Sequence, residues 1–334
     1  MADRPSALAD QALLFLVKWG CYLANPLVVA HTAYKCGHLP DPARPRRIGD
    51  KFLWRKLFDR NPLFVTACDK LACKAYVKER CPELKFARVL WSGQDAARIP
   101  DALLRRPVVL KANHGSGWFL LLQGNEPPEA SRRQAARWAG RRFGWRLGEW
   151  AYKEVRRGLL IEEMLLEDGQ PVASEYKFHV AGGRTAYVFC DPGRGRDGGQ
   201  RMTLDRDGRA YLRTPDGGTR PAGIAPPACF VEMRRIAERL AAPFDFLRCD
   251  LYAIDGEIYF SELTVYPYSG HGRPGRDPIR AERNRLWDLR RAWFLTAPQR
   301  GWRRHYAAAL RRWLDRQEAP QAAPGPGLAH DSET

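Results

Sequence analysis

Residues 246–264, FLRCDLYAIDGEIYFSELT, restrict the fold more than any other stretch. Two runs rich in aromatic and aliphatic residues flank Asp255-Gly256, a pair suited to a two-residue turn that needs positive φ at both positions. The pattern predicts an antiparallel hairpin, 246–254 with 257–263. Side chains alternate faces along a strand, so Arg248 and Asp250 share one face. Counting outward from the turn sets Asp250 roughly opposite Glu262 or its neighbour, and a bulge would shift that register. Like charges facing each other across strands are unfavourable. A divalent cation between them removes the conflict, and Mg²⁺ takes one or two carboxylates plus phosphate oxygens. Two acids on a wet sheet face is the plainer alternative, and spacing alone does not choose.

Upstream, residues 1–66 read as mostly helical with proline breaks at Pro40, Pro42 and Pro45. A helix is expected from near Asp69 to Arg80, stopped at Cys81-Pro82. Residues 88–91 and 107–111 read as strands, the second ending on Lys111. Asn113, His114, Gly115, Ser116 and Gly117 form a flexible loop directly after that lysine, which sets an ammonium beside backbone N–H groups able to cradle phosphate. The loop is neither a Walker A sequence nor GxGxxG. On its own it is equally an ordinary turn, and His114 an ordinary loop hydrogen-bonder. Residues 131–157 read as a very basic helical stretch, and 159–166 as an apolar strand carrying Glu162 and Glu163. An exposed strand cap accounts for these acids. So does an adenine slot, in which backbone past the strand reads the base and an acid takes a ribose hydroxyl. Residues 174–180 and 185–190 alternate like a hairpin around Gly182-Gly183, with Glu175 and Lys177 two apart. Residues 191–223 read as a loop, 230–240 as a helix, 278–316 as Arg-dense helix, and the tail from 319 as disordered.

The chain has 334 residues with 55 Lys plus Arg against 38 Asp plus Glu, a net charge of +17. That excess favours an anionic partner: nucleic acid, an anionic membrane or a polyanionic substrate. Arginines recur at 132, 133, 137, 141, 142 and 146, at 194, 196 and 201, and in the C-terminal helices; solvated helix faces explain many of them. Eight cysteines show no CxxC pair, which fits reduced thiols in a cytoplasm and excludes zinc knuckles and thioredoxin motifs. The uncharged stretch 19–30 is interrupted by Asn25-Pro26, so the N-terminal apolar segment is expected to be buried, or interfacial, rather than spanning. Mixed strands, helices and hairpins predict α+β lobes rather than one doubly wound sheet.

In chain order these pieces resemble the ATP-grasp enzymes, and more narrowly the TupA-like family of teichuronopeptide biosynthesis. The likeness rests on Asp69-Lys70, VVLKANHGSG at 108–117, LLIEEML at 159–165, SEYKFHVAGG at 174–183 and the 246–270 segment, and covers about residues 66–275. It implies an ATP-grasp fold of two α+β lobes gripping ATP, with extra N- and C-terminal helices. The parts are a helical extension at 1–65, an N-terminal lobe at 66–106 and a lid subdomain at 107–165. A C-terminal lobe with the metal site follows at 166–277, then basic helices at 278–318 and a disordered tail at 319–334.

The resemblance also implies roles. Lys70 and Lys111 hold the nucleotide phosphates, and residues 113–117 close over them. Glu162, Glu163, Met164 and Leu165 form the hinge that reads adenine largely through backbone. Glu175, with Lys177 beside it, binds the ribose. Asp250 and Glu262 bridge Mg²⁺, and Thr264 stands where many relatives carry a metal-binding asparagine. Arg248 resembles the arginine that steadies an acyl-phosphate in D-alanine–D-alanine ligases. Tyr268, His271 and Arg273, with Tyr266, are acceptor-site candidates by position.

The implied reaction is ATP-dependent joining of an amine to a carboxylate through an acyl-phosphate. The family context suggests an amino acid or similar amine and a surface polysaccharide or its precursor, in the cytoplasm, with peripheral contact to the anionic inner membrane face allowed. Two alternatives remain: an ATP-binding protein without ligase activity that binds membrane or nucleic acid, the latter disfavoured, and an ATP-grasp kinase acting on a sugar.

Overall fold

The computed structural model describes residues 4–172, 174–191, 202–214, 219–223, 225–271 and 278–318. Five helices come first: α1 (Arg4–Ala24), α2 (Pro26–Cys36), α3 (Ile48–Leu57), α4 (Leu63–Cys68) and α5 (Lys70–Arg80). Next come β1 (Lys85–Phe86), β2 (Val89–Gly93), α6 (Asp101–Leu104), β3 (Val108–Ala112) and β4 (Phe119–Leu122). Helices α7 (Pro128–Gly140) and α8 (Trp150–Glu154) lead into β5 (Leu159–Glu163) and a small ribbon, β6 (Leu166–Glu167) with β7 (Gln170–Pro171). The chain continues with β8 (Glu175–Ala181), β9 (Arg184–Asp191), β10 (Met202–Leu204), β11 (Ala210–Arg213) and β12 (Thr219–Pro221). Helix α9 (Phe230–Ala241), β13 (Phe246–Ile254), β14 (Glu257–Thr264), α10 (Pro278–Leu286), α11 (Trp293–Thr296) and α12 (Trp302–Glu318) complete it.

The strands form two main sheets. One has eight strands in the order β1-β14-β13-β8-β9-β10-β11-β12, antiparallel except for the β1–β14 edge; the other has four, β2-β5-β3-β4. The central hairpin forms as its turn dictates, with Asp255 at φ 52° and Gly256 at φ 78°. Helix α9 seals one face of the large sheet: Met233, Ile236, Ala237 and Leu240 pack with Phe178, Val180 and Leu247. The small sheet has its own core of Val108, Leu110, Ile161 and Trp138. Two sheets, each with helices on it, make the α+β class expected.

Several elements differ from expectation. The four-stranded sheet straddles residue 107, because β2 pairs with β5, while β1 pairs with β14 of the large sheet. The basic stretch 131–157 is not one helix: Gly144 and Gly148 adopt left-handed conformations (φ 71° and 72°) between α7 and α8. The described part of 191–223 is not loop, since β10, β11 and β12 extend the large sheet; its glycine-rich composition masked short edge strands. The 278–316 segment is also three helices: a turn capped by Asp288, which accepts from Arg290 N, separates α10 from α11, and Pro298 and Gly301 separate α11 from α12. The expected disorder of 319–334, and Arg194, Arg196 and Arg201, lie outside the described residues.

The two ends of the chain share one core. Leu14 and Val17 of α1 and Trp54 of α3 join Trp287, Phe294 of α11, and Tyr306 and Trp313 of α12. At its centre the wholly buried Arg55 donates to Asp245 Oδ1 at 2.6 Å and to the carbonyls of Phe246 and Val265. Asp245 Oδ2 accepts from Trp287 Nε1 at 2.5 Å. A buried charge persists only when paired in this way. Burial of α1 holds for one face alone: Leu14, Val17 and Cys21 are covered, whereas Phe15, Leu16, Trp19 and Leu23 are exposed.

Candidate functional site

Three adjacent strands supply the floor. On β13 Asp250 faces Glu262 of β14 on one side and Lys177 of β8 on the other. The register shifts between Asp250 and Leu251, and the unpaired residue is Ser261, whose hydroxyl donates to Glu175 Oε1 at 2.5 Å. The bulge thereby brings Ser261 and Glu262 to the same cluster. Arg248 donates from Nε to Asp250 Oδ1 at 2.7 Å, and from one guanidinium nitrogen to Asp250 Oδ2 at 2.5 Å and Glu262 Oε1 at 2.8 Å. Lys177 Nζ bonds Asp250 Oδ2 at 3.1 Å and also Glu175. Thr264 Oγ1 donates to Glu262 Oε1 at 3.2 Å.

The opposite wall comes from α5 and the small sheet. Asp69 caps α5 by accepting from the backbone N–H of Leu71 and Ala72, so Lys70 occupies the first turn. A cation where the helix dipole is already positive marks a place suited to an anion. Lys70 Nζ donates to the carbonyl of Gly115, and Asn113 Oδ1 accepts from Leu71 N at 3.1 Å, tying the loop to the helix. Gly115 cannot be larger, since a Cβ there would meet Trp118 at 2.8 Å; Gly117 has φ +72°. Lys111 on β3 pairs with Glu162 of the neighbouring β5 at 2.6 Å, and Lys74, one helical turn past Lys70, reaches the same carboxylate at 2.7 Å.

The two walls act on each other electrostatically. Burial opposes ionisation of Glu262, but Arg248, Lys70, Lys177 and Lys111 overcome it and hold its carboxyl near 2. Burial raises the Asp250 carboxyl despite Arg248 and Lys177. Burial lowers the Lys70 amine, and the neighbouring Lys111 charge lowers it further against the pull of Glu262. Lys177 is raised: burial works against this, but Asp250 and Glu175 outweigh it.

The other expected residues fall into three groups. His114 is buried with both ring nitrogens engaged by backbone, Nε2 with the Arg141 carbonyl at 3.1 Å and Nδ1 with Gly158 N at 3.4 Å. Burial lowers its pKa, so the ring is neutral and locked into the loop. Glu163 ends β5, an inner strand of the small sheet, and accepts from Arg88 N at 2.8 Å; Met164 is buried and Leu165 half-buried, leading into β6. Tyr268 and His271 lie past β14. Tyr268 is exposed in a left-handed conformation (φ 54°), and the His271 ring meets that of His31 at 4.8 Å. Arg273 lies outside the described residues.

Two contributors escaped the sequence reading. Lys74 is four residues after Lys70, a spacing that puts both on one helix face and was a usable signal. Ser261 had no such signal, because only the bulge turns it to the cluster. The Glu162 carboxylate, in the segment expected to form the hinge, is occupied by two lysines.

An ATP-grasp arrangement is what these lobes define: a glycine loop and lysines from a small sheet and helix α5 opposing carboxylates on a large sheet. The chain belongs to the TupA-like ATP-grasp family, whose sequence profile matches residues 50–276, more than half of its length. No curated protein matches. Among solved structures it is similar to the ADP complex of N5-carboxyaminoimidazole ribonucleotide synthetase, at 16% identity and TM-score 0.36 over 64% of this chain. It spans 47% of that protein's chain, about half. It is also similar to D-alanine–D-alanine ligase from Bacillus anthracis (13% identity, TM-score 0.38, 75% of this chain and 68% of that one). A third similarity is to D-cycloserine synthetase (18% identity, TM-score 0.37, 76% and 72%).

Proposed function

We propose that the chain is a Mg²⁺-dependent ATP-grasp ligase that joins an amine to a carboxylate with formation of ADP and phosphate. The observation that carries this is a wall of Lys70 tied to the Gly115 loop and Lys111 on β3, set against a floor where Arg248 bridges Asp250 and Glu262, close enough that both lysines help hold the Glu262 carboxyl near 2. Lysines from one wall and carboxylates from the other are what a metal-bound triphosphate requires on its two sides.

The donors fit Mg²⁺. Among the described residues no group of three or more His, Cys, Asp or Glu clusters as a transition-metal site. Two hard carboxylates meet instead at a point that one Arg248 nitrogen touches on both sides. Asp250 and Glu262 would hold the ion, with Thr264 beside them. When bound, it neutralises charge on the phosphate oxygens. Lys70, Lys111 and the N–H groups of residues 114–117 bind the phosphates, the Asn113 N–H being held by the Gly158 carbonyl; with the Glu162 carboxylate committed to lysines, adenine recognition falls to backbone at 163–165. Glu175, positioned by Ser261 and Lys177, takes the ribose.

The substrate carboxylate oxygen attacks the γ-phosphorus and ADP leaves. The amine then attacks the acyl carbon, loses a proton, and phosphate leaves. Arg248 stabilises the negative charge that develops in both steps. Closure of the 113–117 loop keeps water from the acyl-phosphate. We further propose the lobe limits expected from sequence, with β2 counted to the lid. The carboxylate belongs to an anionic glycan or its precursor and the amine is an amino acid or similar group, in keeping with the net charge of +17 and a cytoplasmic site.

The test is incubation of the purified protein with ATP, Mg²⁺ and pairs of uronic acids and amino acids, followed by ADP assay and product mass. ADP release that depends on both substrates, with an amide product, is the expected result. A phosphoester product would establish the kinase alternative. ADP release unchanged in Lys111→Ala and Asp250→Asn would refute the site.

A further inference from the structure

Helices α1 and α2 present an apolar stripe to solvent. Leu8, Phe15, Leu16, Trp19, Leu23 and Leu27 recur at helical spacing and are 67%, 56%, 65%, 48%, 81% and 79% exposed. Only 22% of the Ala7–Ala24 window is buried. Residues 19–34 contain no Asp, Glu, Lys or Arg at all. A contiguous exposed face of this kind on a soluble protein marks an interaction site.

Positive charge borders the stripe. Helix α12, packed alongside α1, exposes Arg304, Arg311, Arg312 and Arg316. Arg312 and Arg316 are partly satisfied by Asp10. Arg44 and Arg316 line one groove with Gln11 and Phe15, which sets guanidinium groups at the margin of the apolar surface. Lys18 and Lys35 flank the uncharged segment at either end. An apolar face with Trp and Phe, edged by cations that extend past it, is the composition of a helix lying in a bilayer interface.

We infer that the α1–α2 face docks on an anionic lipid surface, with both helices in the interface plane. A spanning orientation is excluded by the other side of α1, where Leu14, Val17 and Cys21 are core and Asp10 is paired with Arg312. Charge decides among the possible occupants. A second copy pairing through the same stripe would bring two arginine-rich α12 helices together. Residues 319–334 offer a single large apolar side chain, Leu328, against six on the stripe. Anionic headgroups complement the arginines while acyl chains take the leucines. This inference stands apart from the catalytic reading.

Flotation of the full chain with vesicles of phosphatidylglycerol and phosphatidylcholine, and with phosphatidylcholine alone, tests it. The protein should float with the mixed vesicles and at least about tenfold less with the neutral ones. About 1 M salt, with a screening length of about 3 Å, should release most of it. Leu16→Glu/Leu23→Glu should abolish flotation while melting temperature and ATP turnover stay at wild-type values, and Arg44→Gln/Arg316→Gln, which also give up ion pairs to Asp41 and Asp10, should abolish it with ATP turnover unchanged. Failure to float, or flotation unaffected by either pair, would overturn the inference. So would a dimer, seen by light scattering, that Leu16→Glu/Leu23→Glu converts to monomer without any lipid binding.

Discussion

The Lys74–Glu162–Lys111 triad allows a double-mutant cycle whose outcome the geometry specifies. The Glu162 side chain is 4% exposed, with Lys111 at 2.6 Å and Lys74 at 2.7 Å; the lysines are 26% and 16% exposed. Lys111→Ala or Lys74→Ala leaves the carboxylate one partner. Each single change should therefore cost about 1 kcal/mol, between the values of an exposed ion pair and a buried charged hydrogen bond, because both lysines reach solvent. The double variant strands a buried carboxylate, a situation that costs about 3–5 kcal/mol. With singles summing to about 2 kcal/mol, the cycle should show a coupling of about 2 kcal/mol. Urea unfolding followed by circular dichroism measures all four corners. Adding Glu162→Gln to the double variant should recover most of the loss, since the amide carries no charge to desolvate. Nucleotide titration separates the roles: Lys111→Ala should weaken MgATP binding about 10–100-fold, and Lys74→Ala only a few-fold. An additive double variant, within about 0.5 kcal/mol, would refute the triad as described.

Three further outcomes are expected. The Glu262 carboxyl is held near 2 against an ordinary 4.5, so its stabilising contribution is complete above pH 4.5 and lost as pH falls toward 2; the stability gap between wild type and Glu262→Gln should narrow on acidification. Burial holds the Lys56 amine near 8 rather than 10.5. The unfolded chain then binds the extra proton between those values, so the penalty is full below pH 8 and relieved toward 10.5, and wild type should gain stability relative to Lys56→Met over that window. Arg55→Met leaves the buried Asp245 without its cation and should cost about 3–5 kcal/mol in urea unfolding, with part of this regained in Arg55→Met/Asp245→Asn.

The central hairpin was legible because turn chemistry and strand period are local properties. Asp255-Gly256 announced the turn, and counting from it placed Asp250 opposite Glu262 or its neighbour; the bulge at Ser261 makes the partner Glu262. The cap at Asp69 announced α5 in the same way. What stayed hidden depends on partners distant in sequence. Nothing near Glu162 indicates that Lys74 will reach it from a helix 88 positions earlier, and nothing near Ser261 signals the bulge. That His114 is a loop hydrogen-bonder was legible, but its partners Arg141 and Gly158 were not, because they meet it only after folding. Glycine-rich composition concealed β10 to β12, which depend on β9 as a template. Whether the apolar side of α1 would be core or interface stayed open, because apolar composition cannot say which face a fold will cover.

Calorimetric titration of the full chain with MgADP addresses the central claim, that opposed lobes share one metal-nucleotide. The account predicts one site per chain, weakened at least about tenfold by Lys70→Ala on one wall and by Asp250→Asn on the other. Binding left intact by either substitution would contradict it.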